Sequence, residues 1–484
     1  MLLTGILFIK GTIYGSHKNK YRYLFRSFNS KDPPLLVFTS INRVSELGQI
    51  YALVKLTSDA QPGEKYSTGT LIQKLGSTAN SIDYHYALTY YYQLNHSLKP
   101  KIVTWSSQLD WKNDQSWKNY LTLPTVSIDP SGCVDIDDAF SLQMLPNGDY
   151  QLNIDIAFLG DYYSLDSLRQ QPFTLYYSRQ SRFDMLGPYI THQRSLLQGE
   201  IRPVLTLETV FNQSLEIVST RFQLGIIQNK QTITYEQANQ LLIEGQWQPL
   251  VQLLRTPPFQ LSHHSSSQFD SHILIEQLMI FYNRMAMQHW MSQKLPAIVR
   301  TGGAEIKTKT ECMTSVARAW GFYDREAAKY ELIEYSAEKL VPEYYHASLE
   351  IINYGHFTSP LRRLVDLYHQ YLFLMANDTQ QLVGMTESDV TAINQFEIRL
   401  KRFERKKLLN QLIDKYPDVI ETTVIPYQQI EKSGCTEYEC YWPDEKIRVR
   451  IKASQIQLNQ PTQILLSIMK INGIPKIGGA PLPL

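Results

Sequence analysis

The sequence predicts an α+β multidomain protein in which two β-rich regions flank a core of mixed helices and strands. Its 484 residues exceed one ordinary compact core, and a hydrophobic fraction of 43% with 19% charged residues is typical of a globular chain. Helical periodicity dominates from about 235 to 415, and strand-like alternation returns after about 420. We therefore predict domains over 1–108, 126–415 and 420–484, with a linker over 109–125.

The N-terminal region combines predicted strands with interleaved basic and aromatic residues. Residues 50–56 and 69–76 are predicted strands, separated by a turn at 62–63. The basic residues are Lys10, Lys18, Lys20, Arg22 and Arg26, and the interleaved rings are Tyr21, Tyr23, Phe25 and Phe28. This mixture favours an oligonucleotide-binding (OB) barrel whose rings stack on bases. A solvated β edge with its rings in the core is the alternative.

The core is predicted to open with a β-hairpin over 126–158. The sequence Pro-Asn-Gly-Asp at 146–149 is a strong turn signal, and apolar residues alternate along the returning strand. Helices are predicted around 275–280, 362–374 and 393–413, where apolar residues recur at helical spacing.

Charge and cysteine content exclude several classes of protein. A net charge of +1 argues against coating nucleic acid over the whole surface, but it leaves a narrow basic channel open. The four cysteines form no C-x-x-C pair, so they predict neither a disulfide framework nor a zinc site. This favours a reducing intracellular compartment, the cytoplasm being our expectation. We also expect a soluble chain without a signal peptide or membrane partner, because no apolar run is long enough to span a bilayer.

Four carboxylates fall close together between 126 and 140, and they are Asp129, Asp135, Asp137 and Asp138. Apolar neighbours favour burial, and the Pro-Ser-Gly turn at 130–132 lets the first aspartate face the other three. Buried carboxylates repel each other unless a cation neutralises them, and such hard oxygen ligands select magnesium or manganese. Paired ions of this kind hydrolyse phosphodiesters. An acidic solvated loop is the alternative, whereas the glycine and distal glutamate of a calcium loop are absent.

Residues 127–139 resemble the signature of the RNB catalytic domain, which occurs in RNase II, RNase R and the catalytic subunit of the eukaryotic exosome. The Pro-x-Gly-Cys loop is most similar to the exosome branch. A second motif, H-F-T-S-P-L-R-R-L-V-D-L at 356–367, is similar to the family's H-F-T-S-P-I-R-R-Y-x-D-L. Weaker similarities at 177–188, 202–207, 234–238 and 274–279 extend the resemblance from about 35 to 415. It implies an RNB catalytic core between a cold-shock/OB-like barrel and a C-terminal S1/OB-like barrel.

The resemblance also implies roles for individual residues. Asp129, Asp135 and Asp138 are expected to hold Mg²⁺ or Mn²⁺, and Asp137 to serve the catalytic metal and its water. Arg362 is expected near the scissile phosphate, where a guanidinium can stabilise charge on the non-bridging oxygens.

Four further residues have roles implied by the same family. Tyr235 is expected close to the reacting end, and Tyr177 to clamp the terminal bases, with core packing as the alternative for both rings. Arg363 and Glu276 are expected in the RNA-binding set, although Arg363 is also expected to orient its helix.

The sequence departs from the family pattern at two places. The family's H-I-A-D is D-I-A-F at 155–158, and the second glutamate of E-E is Gln277.

The resulting prediction is a 3′→5′ exoribonuclease that releases nucleoside 5′-monophosphates from single-stranded RNA. We expect a monomer that works alone or within an RNA decay complex. The alternative is a catalytically inactive RNB protein that binds RNA as a regulator or scaffolds a decay complex, although the retained aspartates and Arg362 favour the enzyme. The basic run at 401–407 fits either an RNA channel or a solvated helix face.

Overall fold

The computed structural model describes residues 1–41, 49–60, 64–94, 111–112, 114–161, 172–178, 181–256, 259, 269–302, 328–334, 343–346, 349–375, 384–432, 435–445, 447–471 and 474–481. The turn predicted at 62–63 lies outside these residues. None of the described helices is long and apolar enough to cross a membrane.

The N-terminal strands form one sheet, and they are β1 (Leu2–Phe8), β2 (Ser16–His17), β3 (Lys20–Ser27), β4 (Leu35–Thr39), β5 (Ile50–Ser58) and β6 (Ser67–Ser77). The order is β1-β5-β6-β4-β3-β2, and β1 also pairs with β3, which closes five of the strands into a barrel-like ring. The pair β4–β6 is parallel and its neighbours in the ring are antiparallel. Helix α1 (Ser81–Tyr91) follows, with the Asn80 side chain capping its first turn.

Alternation along β3 separates its aromatic from its basic residues. Tyr23 and Phe25 have no exposed surface and fill the barrel, so they are not available to stack on bases. Arg22 faces outwards over the ring of Phe38 at 5.6 Å. The alternative of core aromatics is therefore correct for these two rings.

The central strands are β7 (Lys118–Asn119), β8 (Val126–Ile128), β9 (Asp138–Met144), β10 (Tyr150–Ala157), β11 (Leu175–Tyr176), β12 (Arg182–Phe183), β13 (Ile201–Phe211), β14 (Ile217–Gln228) and β15 (Gln231–Ile233). Seven of them form a sheet in the order β15-β8-β9-β10-β13-β14-β7, while β11 and β12 form a separate hairpin. The turn predicted at 146–149 does join β9 to β10. Part of the predicted linker belongs to this sheet, because β7 pairs with β14 and Trp117 is buried beside it.

The remaining core elements are α2 (Pro188–Arg194), α3 (Tyr235–Ile243), α4 (Gln248–Leu254), α5 (Ser271–Ser292), β16 (Ala297–Thr301), β17 (Lys329–Ile333), β18 (Tyr345–His346), β19 (Ile351–Ile352), β20 (Tyr354–Gly355), α6 (Leu364–Met375) and α7 (Glu387–Lys415). Helices α5, α6 and α7 confirm the three predicted from periodicity. Helix α5 packs its apolar residues against the central sheet. The segment just before α6 contacts the loop between β8 and β9, since the Leu361 N–H donates to Asp137.

The C-terminal strands are β21 (Ile420–Lys432), β22 (Cys435–Trp442), β23 (Ile447–Lys452), β24 (Thr462–Ile471) and β25 (Ile474–Pro481). They form an antiparallel sheet in the order β23-β22-β21-β24-β25. Leu409 and Leu412 of α7 pack into its core beside Trp442. The molecule is therefore a mixed α/β protein with barrel-like sheets at both ends of the chain, while the specific OB and S1 assignments stay predictions.

Candidate active site

The acidic loop runs between the ends of two paired strands. Asp129 follows β8, and its backbone N–H donates to Ile233 at 3.0 Å. The turn at 130–132 is present, since the Cys133 N–H donates to Pro130 at 3.0 Å and Gly132 has a φ of 78°. Asp138 begins β9. The turn therefore folds Asp129 back towards the later aspartates, as the sequence predicted.

A cavity of about 700 Å³ opens at this loop. Its wall includes all but one of the residues that the sequence predicted for the site, namely Asp129, Asp135, Asp137, Asp138, Tyr235, Glu276, Arg362 and Arg363. The motif near residue 360 thus meets the acidic loop in space, more than two hundred residues away along the chain.

Asp137 makes the direct connection between the two motifs. Its Oδ1 accepts the backbone N–H of Leu361 at 2.8 Å, and its Oδ2 lies 3.1 Å from Nε of Arg362. The Arg362 Nη2 also donates to Ser359 Oγ at 3.2 Å. Burial raises the pKa of Asp137 to about 7, and the Arg362 charge opposes this rise. The arginine is therefore held in place by the Asp137 carboxylate.

Burial disfavours the charged forms of Asp129 and Asp138, and the neighbouring groups offset this only in part. Burial raises the pKa of Asp129 to about 6 and that of Asp138 to about 7, where the charge of Asp129 adds to the rise. The Oδ2 atom of Asp129 is buried without a hydrogen-bond partner. As the side chains stand, no three His, Cys, Asp or Glu residues within the described ranges are grouped closely enough to hold a metal ion.

Protein groups engage both oxygens of Asp135, as they do those of Asp137, but at Asp135 both groups are side chains of the β11–β12 hairpin. The hydroxyl of Tyr176 donates to Oδ2, and Nη1 of Arg182 lies 3.1 Å from Oδ1. The Cys133 Sγ is 3.6 Å from the same Oδ1. The structure thus brings Asp135 into the cavity wall but ties it to neighbouring side chains.

Tyr235 is held between two helices. It begins α3, and its ring stacks on that of His272 in α5 with centroids 4.0 Å apart and an interplanar angle of 12°. The Ser271 hydroxyl donates to the Tyr235 carbonyl at 2.9 Å. Glu276 lies farther along the same helix in the cavity wall, whereas its neighbour Gln277 is buried with an unpaired Oε1.

Arg363 lines the cavity and also organises the start of α6. Its Nη2 lies 2.8 Å from Asp366, which is fully buried and also accepts the Ser359 N–H at 2.7 Å. Its Nη1 donates to His356 Nδ1 at 3.2 Å. Burial and the Arg363 charge hold the pKa of His356 well below its usual range, so the ring accepts as neutral imidazole. These contacts support the expected role of Arg363 in orienting its helix.

Tyr177 is not in the wall of this cavity. Its ring packs against Phe183 at 5.0 Å and Tyr86 at 5.8 Å, while its carbonyl accepts Nδ1–H of His85 at 3.0 Å. The adjacent Tyr176 lines the cavity instead. The family-like spacing to Met185 and Leu186 favoured Tyr177, but it does not tell which of two adjacent rings faces the cavity.

Several further cavity residues escaped the sequence analysis, namely Arg300, His346, Tyr354, His356 and Asn283. His356 could have been recognised, since it opens the second motif, but the others carry no local signal. The two residues of the 155–158 segment that depart from the family pattern lie elsewhere. Asp155 is fully buried and accepts Thr206 Oγ1 at 2.6 Å, and Phe158 packs against Trp117.

The family model of the RNB domain matches residues 117–256 and 250–377, which together are more than half of the chain. The protein therefore belongs to the RNB domain family, within the RNase II superfamily. This agrees with the two motifs that meet at the cavity.

The chain is 25% identical over 242 residues to the human exosome complex exonuclease RRP44, covering 47% of this chain and 24% of that protein. It is 31% identical over 154 residues to exoribonuclease 2 of Vibrio cholerae serotype O1, covering 29% and 23%. The matches thus span about a quarter of the length of these relatives.

Two solved structures have a similar fold. The apo form of Mycoplasma genitalium RNase R gives a TM-score of 0.71 at 15% identity, covering 99% of this chain and 89% of that one. Yeast Ssd1, a pseudonuclease, gives 0.63 at 14% identity, covering 96% and 67%. A nuclease and a pseudonuclease share this fold, so the fold alone does not establish activity. The residues of the site have to distinguish an enzyme from an inactive protein.

Proposed function

We propose that the protein is a divalent-metal-dependent 3′→5′ exoribonuclease that hydrolyses single-stranded RNA to nucleoside 5′-monophosphates. The observation that carries this proposal is the hydrogen-bonded junction of Asp137 with Leu361 and Arg362 in the same cavity as Asp129 and Asp138. It combines oxygen donors for a cation with a guanidinium for a phosphate, which is the combination that phosphodiester hydrolysis needs.

The donor set fits a hard divalent cation such as Mg²⁺ or Mn²⁺. Burial raises the pKa of Asp129, Asp137 and Asp138, and Asp129 keeps a buried oxygen without a hydrogen-bond partner. A bound cation would relieve this accumulation of negative charge, so we assign these three residues as its ligands. When bound, the metal would lower the pKa of a water and offset charge on the phosphate.

Arg362 binds the scissile phosphate in this proposal. Its Nε and Nη2 are committed to Asp137 and Ser359, which fixes the plane of the guanidinium. Nearly half of the side chain, 49%, remains exposed and it lines the cavity. An arginine oriented before the substrate arrives stabilises charge on the phosphate oxygens without having to reorganise.

Tyr235 supports the terminal nucleotide. His272 covers one face of the Tyr235 ring, and Tyr235 lines the cavity from the first turn of α3. Stacking on a base tolerates any sequence, because every base has a flat face. Glu276 in the same wall is positioned to accept hydrogen bonds from ribose hydroxyls.

The terminal barrels are proposed to guide the RNA. The N-terminal ring of five strands with one parallel pair supports an OB-like barrel over 1–108, and Arg22 over Phe38 supports a face for unpaired nucleotides. We propose an S1/OB-like domain over 420–484, with the catalytic domain over 126–415. M. genitalium RNase R has been solved with ribose methylated single-stranded RNA. RRP44 is named an exosome complex exonuclease, which supports an RNA decay complex as a partner.

Incubation of a 5′-labelled single-stranded RNA with the protein tests this function. We expect a ladder of shortened products with Mg²⁺ or Mn²⁺ and no ladder with EDTA. Unchanged RNA in both metals, with binding retained in a fluorescence anisotropy titration, would contradict the proposal. It would instead favour an inactive RNB protein that binds RNA.

A further inference from the structure

The short hairpin β11–β12 presents two side chains to one carboxylate. Tyr176 and Arg182 are directly opposite each other in this antiparallel pair, so their side chains project from the same face of the hairpin. The Tyr176 hydroxyl donates to one oxygen of Asp135, and Nη1 of Arg182 lies 3.1 Å from the other. The hairpin thus contacts the acidic loop through the Asp135 side chain.

This contact is well shielded from water. The Asp135 side chain is 8% exposed and that of Arg182 is 19% exposed. A buried carboxylate that keeps both its ionic partner and a hydroxyl donor is stabilised, whereas removal of one partner leaves charge without compensation. Rotating Asp135 towards a metal would break both contacts, whereas Asp129 interacts with the Ser127 and Cys133 side chains and keeps a buried, unpaired Oδ2.

The hairpin in turn carries part of the cavity wall. The ring of Tyr176 lines the cavity, and its carbonyl accepts Nζ of Lys407 from α7 at 2.7 Å. Arg182 also pairs with Asp184, just beyond the hairpin. The backbone that follows is fixed by the Met185 N–H, which donates to Thr174 Oγ1 at 3.0 Å. Loss of the Asp135 contact would therefore free the one side of the hairpin that faces the acidic loop.

We propose that Asp135 is a positioning residue and not a metal ligand. It anchors the β11–β12 hairpin, through Tyr176 and Arg182, so that the hairpin forms a fixed wall for the 3′-terminal nucleotide. This inference rests on the proposed nuclease function for the identity of the nucleotide, but the anchoring itself does not. It revises the expectation that Asp135 holds the metal together with Asp129 and Asp138.

A metal-binding measurement distinguishes the role of Asp135 from that of Asp129. Asp135→Asn and Asp129→Asn are isosteric changes in the same loop, and Mn²⁺ binding to each protein can be followed by electron paramagnetic resonance without RNA. We expect the Mn²⁺ dissociation constant of Asp135→Asn to stay within about threefold of the wild-type value and that of Asp129→Asn to rise roughly tenfold or more, a difference of at least about 0.7 kcal/mol. Equal weakening in the two variants would overturn the proposal.

Hydrogen exchange in EDTA tests the anchor without metal or activity. We expect faster amide exchange at 174–178 and 181–184 in Asp135→Asn, Tyr176→Phe and Arg182→Gln. The double variant Asp135→Asn/Arg182→Gln should exchange no faster than Arg182→Gln alone, because Arg182→Gln already removes the ion pair with Asp135 as well as the one with Asp184. Unchanged protection of the hairpin would overturn the proposal. Should Asp135→Asn fail to fold, Arg182→Gln removes the same ion pair from its more exposed side.

Kinetics then connect the anchor to the nucleotide. In Arg182→Gln we expect the KM for RNA to rise with kcat largely retained, and Arg182→Lys to recover part of the loss because it restores the charge. A fall in kcat at unchanged KM would assign the pair to chemistry and overturn a positioning role. Absence of hydrolysis in the wild-type protein would refute the proposed function, while the metal and exchange measurements would still decide the role of Asp135.

Discussion

Asp155 occupies the middle of strand β10 with no exposed surface, and its replacement by asparagine offers a stringent test of the electrostatics. Its carboxylate accepts one hydrogen bond, from Thr206 at 2.6 Å, and its Oδ2 is buried without a partner. Burial raises the pKa of Asp155 to about 7 from an ordinary 3.8, and no cationic side chain among the described residues opposes this rise. The folded protein therefore disfavours the ionised form of Asp155.

The size of the effect follows from this shift. About three pKa units correspond to about 4 kcal/mol against the ionised form, since each unit is 1.36 kcal/mol. The folded state holds its proton up to about pH 7 and the unfolded state only up to about pH 4, so the stability falls as pH rises between these values. Asparagine keeps the acceptor for Thr206 and cannot ionise. We expect Asp155→Asn to match the wild type near pH 5 and to exceed it by about 2 to 4 kcal/mol at pH 8, after about 1 kcal/mol for the unpaired amide.

Thermal unfolding in EDTA at constant ionic strength, between pH 5 and pH 8, measures this difference. A domain of this size gains about 2 to 4 °C per kcal/mol, so the Tm advantage of Asp155→Asn should reach several degrees at pH 8. The exposed Asp418→Asn is the matched control and should change little at either pH. A Tm difference that does not grow with pH, or a variant less stable than the wild type at pH 8, would refute the reasoning.

Two substitutions in the cavity wall and one directly behind Tyr235 give further predictions. Asp137→Asn should retain RNA binding by anisotropy but lose at least about a thousandfold in single-turnover cleavage, or about 4 kcal/mol of transition-state stabilisation; an unchanged rate would contradict our site. Arg362→Lys loses the 3.1 Å contact of Nε with Asp137, and kcat/KM should fall by about 10²-fold, so a loss below tenfold in steady-state kinetics would argue against a phosphate role. His272→Ala removes the ring stacked on Tyr235 at 4.0 Å, and the KM for RNA should rise about fivefold, as expected for a contact of about 1 kcal/mol, with His272→Phe restoring it.

Much of the predicted secondary structure rests on patterns of neighbouring residues in the sequence. The turn at 146–149 and the return of the chain after Asp129 depend on a few consecutive residues, and the structure contains both. The long helices likewise follow from apolar spacing that neighbouring residues satisfy on their own. The N-terminal aromatics were less certain, because composition does not tell which side of a strand a residue faces. Tyr23 turned inwards and Arg22 outwards once β3 was paired on both edges.

By itself, the sequence determined the family, the acidic loop and the motif that contains Arg362, because these are contiguous patterns of residue types. Only the tertiary structure decided which side chains serve one another. The bond from Leu361 to Asp137 joins residues 224 positions apart, so no local pattern contains it. The choice of Tyr176 over Tyr177 depends on strand register, since adjacent residues of a strand face opposite sides. That register also placed Arg182 beside Tyr176, which is why Asp135 binds the hairpin while Asp129 keeps a buried, unpaired oxygen.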